Sequence, residues 1–243
     1  MKSKKVLIIF IVFINIIAFS MIFLYISADH AKRTDVFLNQ QVENLKTHYK
    51  IATKHFRITA ESTVEMVKND PVSLEILEKF LTASSDERGN LRQELYTRLE
   101  NQYKRIKKLG VLQFHFVMPN NLTSLRMHKP ERFDDNLTDF KYSYRHVNNT
   151  KKPIKGLEEG KTAPSFRDVR PLYSAKGVYL GCVDVAFAPE VLQDNILEVS
   201  DIYSNFIIHK SILKLTAWKR NDPETIYRQS IENDEYFEYT TAD

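Results

Sequence analysis

The sequence holds a single cysteine, Cys182, in 243 residues. A small oxidised scaffold carries an even and dense set of cysteines, so disulfides are excluded as the framework and a hydrophobic core must hold the fold. Cys182 lies in the strand-like run Gly181-Cys182-Val183-Asp184-Val185 and reads as a buried, inert thiol. Acidic residues are missing from the first 28 positions, where Lys2, Lys4 and Lys5 stand. Setting those three lysines aside leaves 32 Lys+Arg against 31 Asp+Glu, a net charge near +1, and with no clustered basic face nucleic acid is not an expected partner. The chain also lacks a Gly-rich phosphate loop, a nucleophile elbow and a zinc-protease motif. Its seven histidines are dispersed: His48 and His55 lie one heptad apart, and His115 and His128 have no cysteine at ligand spacing. No enzyme activity, metal or cofactor is expected from these patterns.

One long apolar run is present and no second one. It covers residues 6–26, 21 positions without a charge and interrupted only by Asn15 and Ser20. As a helix it extends about 31 Å, the thickness of a hydrocarbon core of about 30 Å. The three lysines before it are not outweighed by the first charges after it, Asp29, Lys32 and Arg33, so the N-terminus is expected in the cytoplasm and the rest outside. A cleaved signal peptide is the rival reading. Its apolar region would be about 7–15 residues long with small residues at the cut, which Ile26-Ser27-Ala28 does not supply. The 215 residues beyond position 28 suffice for one large or two small domains.

Beyond the apolar run, Leu38, Val42, Leu45, Tyr49, Ala52, Phe56, Thr59, Thr63 and Met66 recur in alternating steps of four and three. This coiled-coil-like seam predicts one helix over 29–69, either packing on its own domain or pairing two copies as a homodimer. Asn69-Asp70-Pro71 ends it, with Asp70 as the expected cap of a helix over 72–81. A further helix is predicted over 86–109, with Leu91, Leu95, Leu99, Tyr103 and Ile106 on one stripe and Gly110 as its stop. Strands follow at 111–118, 124–128, 165–173 and 178–188, the last two forming a hairpin around Lys176-Gly177. A helix at 136–149, a Lys-rich turn, a turn at 156–160, a helix at 189–199 and a strand from Phe206 complete an α+β reading.

Three stretches of the sheet half resemble the extracytoplasmic double-Cache sensor domains of bacterial histidine kinases, diguanylate cyclases and chemoreceptors. They are Leu125-Arg126-Met127-His128-Lys129-Pro130 with Phe133-Asp134-Asp135-Asn136-Leu137, then Lys152-Pro153-Ile154-Lys155-Gly156-Leu157-Glu158-Glu159-Gly160, and Phe166-Arg167-Asp168-Val169-Arg170-Pro171-Leu172-Tyr173 leading to Gly181-Cys182-Val183-Asp184. The family pattern usually has a Gly where Asp134 stands. The resemblance implies a transmembrane helix continuing into a long helix, a PAS-like antiparallel sheet and a small second domain. On that pattern residues 1–28 are a cytoplasmic stub and anchor, 29–110 a helical segment, 111–200 the membrane-distal PAS-like subdomain, and 201–243 the start of an incomplete membrane-proximal one. It implies a single-pass protein of the bacterial inner membrane whose periplasmic or extracellular part binds a small polar or anionic molecule.

The residues themselves supply suitable chemistry. In a strand over 124–128, Arg126 and His128 share a face, and an arginine fork binds a carboxylate in a bidentate way beside a histidine donor. Arg167 and Asp184 fall on adjacent strands, a cation and an acceptor for an amine, while Tyr142, Tyr144 and Tyr173 offer walls and hydroxyls. An arginine beside Asp134, Asp135 or Asp168 equally suits a loop-fixing ion pair. Glu158-Glu159 and Asp134-Asp135, adjacent in sequence, read as solvated loop. The expected function is extracytoplasmic sensing of a small molecule for a signal-transduction receptor. The alternative is a membrane-anchored structural or partner-binding protein acting through the long helix.

Overall fold

The computed structural model describes residues 2–159, 164–200, 202–212 and 227–239. The expected turn at Gly160, the start of the second subdomain at Asp201 and the chain from Thr240 onward lie outside them. The chain divides into two compact units, residues 1–48 and residues 49–243.

A long helix, α1 (Lys2–Lys68), supplies all of the first unit. It is the one helix among the described residues long and apolar enough to cross a membrane. Within its apolar run Asn15 donates its amide to the Ile11 carbonyl at 2.8 Å, so the polar side chain is satisfied by its own helix. The seam beyond is exposed in this unit, with Leu38 at 54% and Val42 at 48%.

In the second unit the same helix is buried. Ala52, Phe56, Thr59, Ala60, Thr63, Val64 and Val67 all pack inside the unit, and the Phe56 ring stacks on Phe187 at 4.3 Å. This part of the seam therefore packs on its own domain. Next come α2 (Pro71–Lys79) and α3 (Ser85–Lys107). Asp70 sits at the N-cap of α2 but does not cap it: its carboxylate takes the Arg98 guanidinium, with Nε at 2.6 Å, and the Ser73 hydroxyl. A charge-assisted fork is stronger than a single backbone bond and takes the acceptor. Ser84 and Glu87 form a reciprocal capping box on α3, whose Leu95, Leu99, Tyr103 and Ile106 are buried as the stripe predicts.

A five-stranded antiparallel sheet has the order β2-β1-β5-β4-β3, from β1 (Val111–Val117), β2 (Thr123–Arg126), β3 (Ile154–Glu158), β4 (Ser165–Tyr173) and β5 (Tyr179–Phe187). Alternation along the strands divides its side chains between two faces. On one face Phe114 meets Tyr103 of α3, and Phe166 and Phe187 meet Phe56 of α1. On the other, Val117, Val169 and Cys182 pack with Tyr144 and Val147 of α4 (Tyr142–Thr150). Helix α5 (Pro189–Ser200) leads to a three-stranded sheet, order β6-β8-β7, of β6 (Ile207–His209), β7 (Tyr227–Gln229) and β8 (Tyr236–Tyr239).

Two expectations are corrected here. The helix expected over 136–149 starts only at Tyr142, because Asn136 bridges to Leu122 and Lys141 keeps an extended backbone. The expected turn at 156–160 is instead, as far as Glu158, part of edge strand β3, which pairs with β4 from Ile154↔Val169 to Glu158↔Ser165, while Lys151, Lys152 and Pro153 lie before it outside any strand. Its residues, Ile154 and Glu158 half-buried and the three between them exposed, lack the alternation that marks a strand, as edge strands often do.

Gly181 occupies the middle of the sheet at φ +110°, and a Cβ there would lie 2.1 Å from the Val117 carbonyl oxygen. Replacement by alanine meets both a disfavoured backbone and rigid neighbouring main chain. Gly181→Ala is expected to lower stability by about 3 kcal/mol or more, read from urea unfolding; a loss below about 1 kcal/mol would contradict this placement.

Candidate ligand cavity

The sheet face that meets α4 carries a run of polar residues in register. Arg126 on β2 lies opposite His115 on β1, and His115 lies opposite Asp184 on β5. Arg167 projects from β4 on the same face. Asp184 is fully buried, and the Arg167 side chain is 3% exposed. Together they form an ion pair in which Arg167 Nη1 donates to Asp184 Oδ2. Arg167 also donates to the Tyr144 hydroxyl at 3.2 Å and to Gln113 Oε1 at 3.1 Å, and its Nε stands 3.1 Å from Glu158 without the alignment of a hydrogen bond.

Tyr144 fixes the proton positions. Its hydroxyl donates to Asp184 at 2.6 Å and accepts from Arg167, so it must also accept from His115 Nδ1, 3.0 Å away. His115 is thereby the Nδ1–H tautomer. Its Nε2 is a buried acceptor without a hydrogen-bond partner among the described residues. Burial, and then the nearby cations, push the His115 pKa well below the usual histidine range. Burial raises Asp184, but Arg167 and the Tyr144 hydroxyl oppose it, and beside a permanently charged guanidinium Asp184 is the carboxylate.

A second group lies at the start of α4. Glu158 of β3 accepts from the Ser143 backbone N–H at 3.0 Å and the Ser143 hydroxyl at 2.9 Å, and so caps the helix from another strand. Burial works to raise the Glu158 pKa, but Lys141, Arg167 and Ser143 together hold it below the usual carboxylate range. The Lys141 side chain is 11% exposed. Its Nζ donates to the Glu159 carbonyl at 3.3 Å and stands 3.4 Å from Glu158. Burial, and then Arg167, bring its pKa down to about 8.

Gln113, Lys141, Glu159 and Arg167 of these groups border a cavity of about 1120 Å³, walled by α3, β1 and residues 126–141. Arg126, His128, Lys141 and Arg167 all line it, with Tyr103, Phe133 and Phe140 among its apolar walls. Seven Lys and Arg residues line it against four Asp and Glu, so the lining carries an excess of positive charge.

Of the seven residues expected from sequence, Arg126, His128 and Arg167 line the cavity, and Asp184 lies beneath it, paired with Arg167 and bonded by the Tyr144 hydroxyl. Arg126 binds Asp135 through both nitrogens at 2.7 and 2.8 Å and donates to the Arg132 carbonyl, which makes it a clamp on the 127–137 wall. Strand β2 ends at Arg126, so His128 reaches the cavity from the following turn and not by strand alternation. Burial, then Arg126 and Lys129, lower its pKa to about 4, and its Nδ1 has no hydrogen-bond partner among the described residues.

Tyr142 is 59% exposed beside His146, and Tyr173 is 39% exposed against Tyr179 in the hairpin. Neither lines the cavity. Glu158, expected in solvated loop, is a buried helix cap, and Lys141 and Gln113 drew no attention in the sequence. A glutamate at the end of a strand carries no local sign that its partner is a helix 15 residues earlier.

No protein-family model matches this sequence, and no curated protein is significantly similar to it. Among solved structures, the sensor domain of the V. cholerae histidine kinase DctB is matched with TM-score 0.48 and 10% identity, over 67% of this chain and 60% of that one. The sensory domain of a Campylobacter jejuni chemoreceptor with isoleucine bound is matched with TM-score 0.38 and 16% identity, over 70% of this chain and 71% of that one. The extracellular domain of a histidine kinase, vpHK1S-Z8, is matched with TM-score 0.40 and 15% identity, over 69% and 67%.

Breaking a buried pair strands a charge, whereas replacing both partners does not. Arg167→Leu is expected to cost about 3–5 kcal/mol, and Asp184→Leu added to it to recover at least about 1 kcal/mol. Chemical denaturation of the three variants measures this. Additive losses would show that the pair does not organise the sheet face.

Proposed function

We propose that this chain is the sensing part of a membrane-anchored signal-transduction receptor of the double-Cache kind, whose second unit binds a small polar or anionic molecule. The observation that carries the reading is the cavity: a large recess with a net positive lining, whose floor of charged groups is already fixed by buried hydrogen bonds. Such a floor presents charges without the cost of ordering them when a ligand arrives. The resemblance of the Arg126, Glu158 and Arg167 stretches to that family supports it.

The apolar run of α1 supports anchoring by a single span. The lysines before it support a cytoplasmic N-terminus with the sheet outside the cell membrane. In this reading the chain catalyses no reaction, and its output is mechanical. The exposed Leu38 and Val42 suit pairing of two copies along the first unit. They also favour the second reading, a partner-binding protein acting through its long helix.

The full chain in detergent, screened by thermal shift against amino acids, carboxylates and amines, tests the proposal. A ligand at about 100 times its Kd contributes about 2.7 kcal/mol, which for this length is a rise of about 5–10 °C. Arg126→Ala, which releases the 127–137 wall, is expected to remove most of that rise. A chain that dimerises tightly yet is stabilised by none of these compounds would support the second reading and contradict the first.

A further inference from the structure

The three enclosed cations of the cavity, Arg126, Lys141 and Arg167, differ in how far their hydrogen-bonding capacity is committed, while Lys104, Lys107, Lys129 and Arg132 line it from exposed positions. Arg126 is engaged by both oxygens of Asp135 and by the Arg132 carbonyl. Arg167 donates to Asp184, Tyr144 and Gln113, and its Nε stands in charge contact with Glu158 at 3.1 Å. Lys141 is equally enclosed but loosely held, with its two contacts at 3.3 and 3.4 Å, near the outer limit for a bond. An ammonium has three protons to place. Each Glu158 oxygen already accepts one bond from Ser143.

We propose that Lys141 is the residue that receives the negative charge of a ligand in this cavity, and that a proton is taken up at its amine as the ligand binds. The proposal rests on the cavity being a ligand site. The proton balance is simple: the neutral amine, a proton from solution and the anion give an ammonium paired with the anion.

The surroundings set both parts. Lys141 faces Glu158 of β3, Arg167 of β4 and Asp184 of β5, lies near His115 of β1, and shares the cavity with Arg126 of β2. Glu159, whose carbonyl it contacts, accepts the Tyr227 hydroxyl of β7 through its carboxylate. Arg167 and burial disfavour the ammonium, and the two carboxylates only partly compensate, so the amine is part-titrated just above neutral pH. An arriving anion adds the missing charge. One loosely held ammonium among several carboxylates suits a single negative charge better than two. The apolar walls Tyr103, Leu137, Phe133 and Phe140 suit a monocarboxylate with an apolar body.

Calorimetric titration of the full chain in detergent with benzoate and with hexanoate tests this, with inorganic phosphate as the more highly charged comparison. Affinity for the carboxylates is expected to be about tenfold lower at pH 9 than at pH 7, the ratio set by an amine that titrates near 8. At pH 8, heats measured in HEPES and in Tris are expected to differ by the uptake of about half a proton. Lys141→Arg, which stays charged, is expected to bind with neither pH dependence nor proton uptake, and Lys141→Met to bind at least about tenfold more weakly at pH 7. Carboxylates that bind equally at pH 7 and 9, or equally to Lys141→Met, would overturn the role of Lys141 while leaving the cavity as a binding site. Tighter binding of phosphate would overturn the single-charge preference. Failure of all three compounds to bind would overturn the proposal together with the anionic reading of the cavity.

Discussion

The buried contact between Arg167 and Asp184 joins more of the second unit than any other polar interaction described. It sits between the two longest strands, β4 and β5, where water cannot screen or replace it. An isolated charge in that position would be prohibitive, so each partner needs further hydrogen bonds. Those come from Tyr144 on α4 and Gln113 on β1, and through Tyr144 from His115, while Glu158 on β3 adds a charge contact. Satisfying one ion pair therefore fixes how four strands and a helix stand relative to each other. The cavity floor follows from that arrangement, since Arg167 and Lys141 border both the cluster and the open space.

The same network has outlets away from the cavity. Glu159, whose carbonyl takes the Lys141 amine, binds the Tyr227 hydroxyl of the small sheet. On the opposite sheet face Arg170 holds Asp168 with two nitrogens and reaches Glu61 of α1 at 3.0 Å. Val169, between them in sequence, pairs with Asp184. A displacement of β4 is thus felt at α1 through a charged contact and at the small sheet through β3 and the residue that follows it. A ligand shifts such elements only as far as its affinity differs between two arrangements. The contacts identify which groups would have to differ: the Lys141, Glu158 and Glu159 set on one side, and the Asp168, Arg170 and Glu61 set on the other.

Much of this arrangement is legible in the sequence where a local pattern is strong. The leucine stripe of α3, the Lys176-Gly177 hairpin and the buried strands β1, β4 and β5 all follow from periodicity and turn residues. So do the placement of Arg167 and Asp184 on adjacent strands and the apolar run of α1, whereas the taking of Asp184 by Arg167 in place of a ligand amine is not legible there. Features decided by tertiary contacts are not legible. Strand β3 is an edge whose exposed residues read as loop, yet its Glu158 caps α4. The start of α4 is set by that distant carboxylate, so the choice between Tyr142 and Tyr144 as the inward tyrosine depends on where the helix begins. Asp70 looks like a helix cap until Arg98, 28 residues later, claims it. The seam of α1 is uniform in sequence, but from Ala52 onward its partners are the phenylalanines of β4 and β5 and not a second copy.

Amide hydrogen exchange of the full chain in detergent, with and without a carboxylate that raises its melting temperature, tests the central claim most directly. The account predicts added protection in residues 126–141, in β1 and β3 and at the first turn of α4, because these border the cavity or are held by its floor. Protection confined to the first unit or to the exposed hairpin around Lys176, with residues 126–141 unchanged, would contradict it.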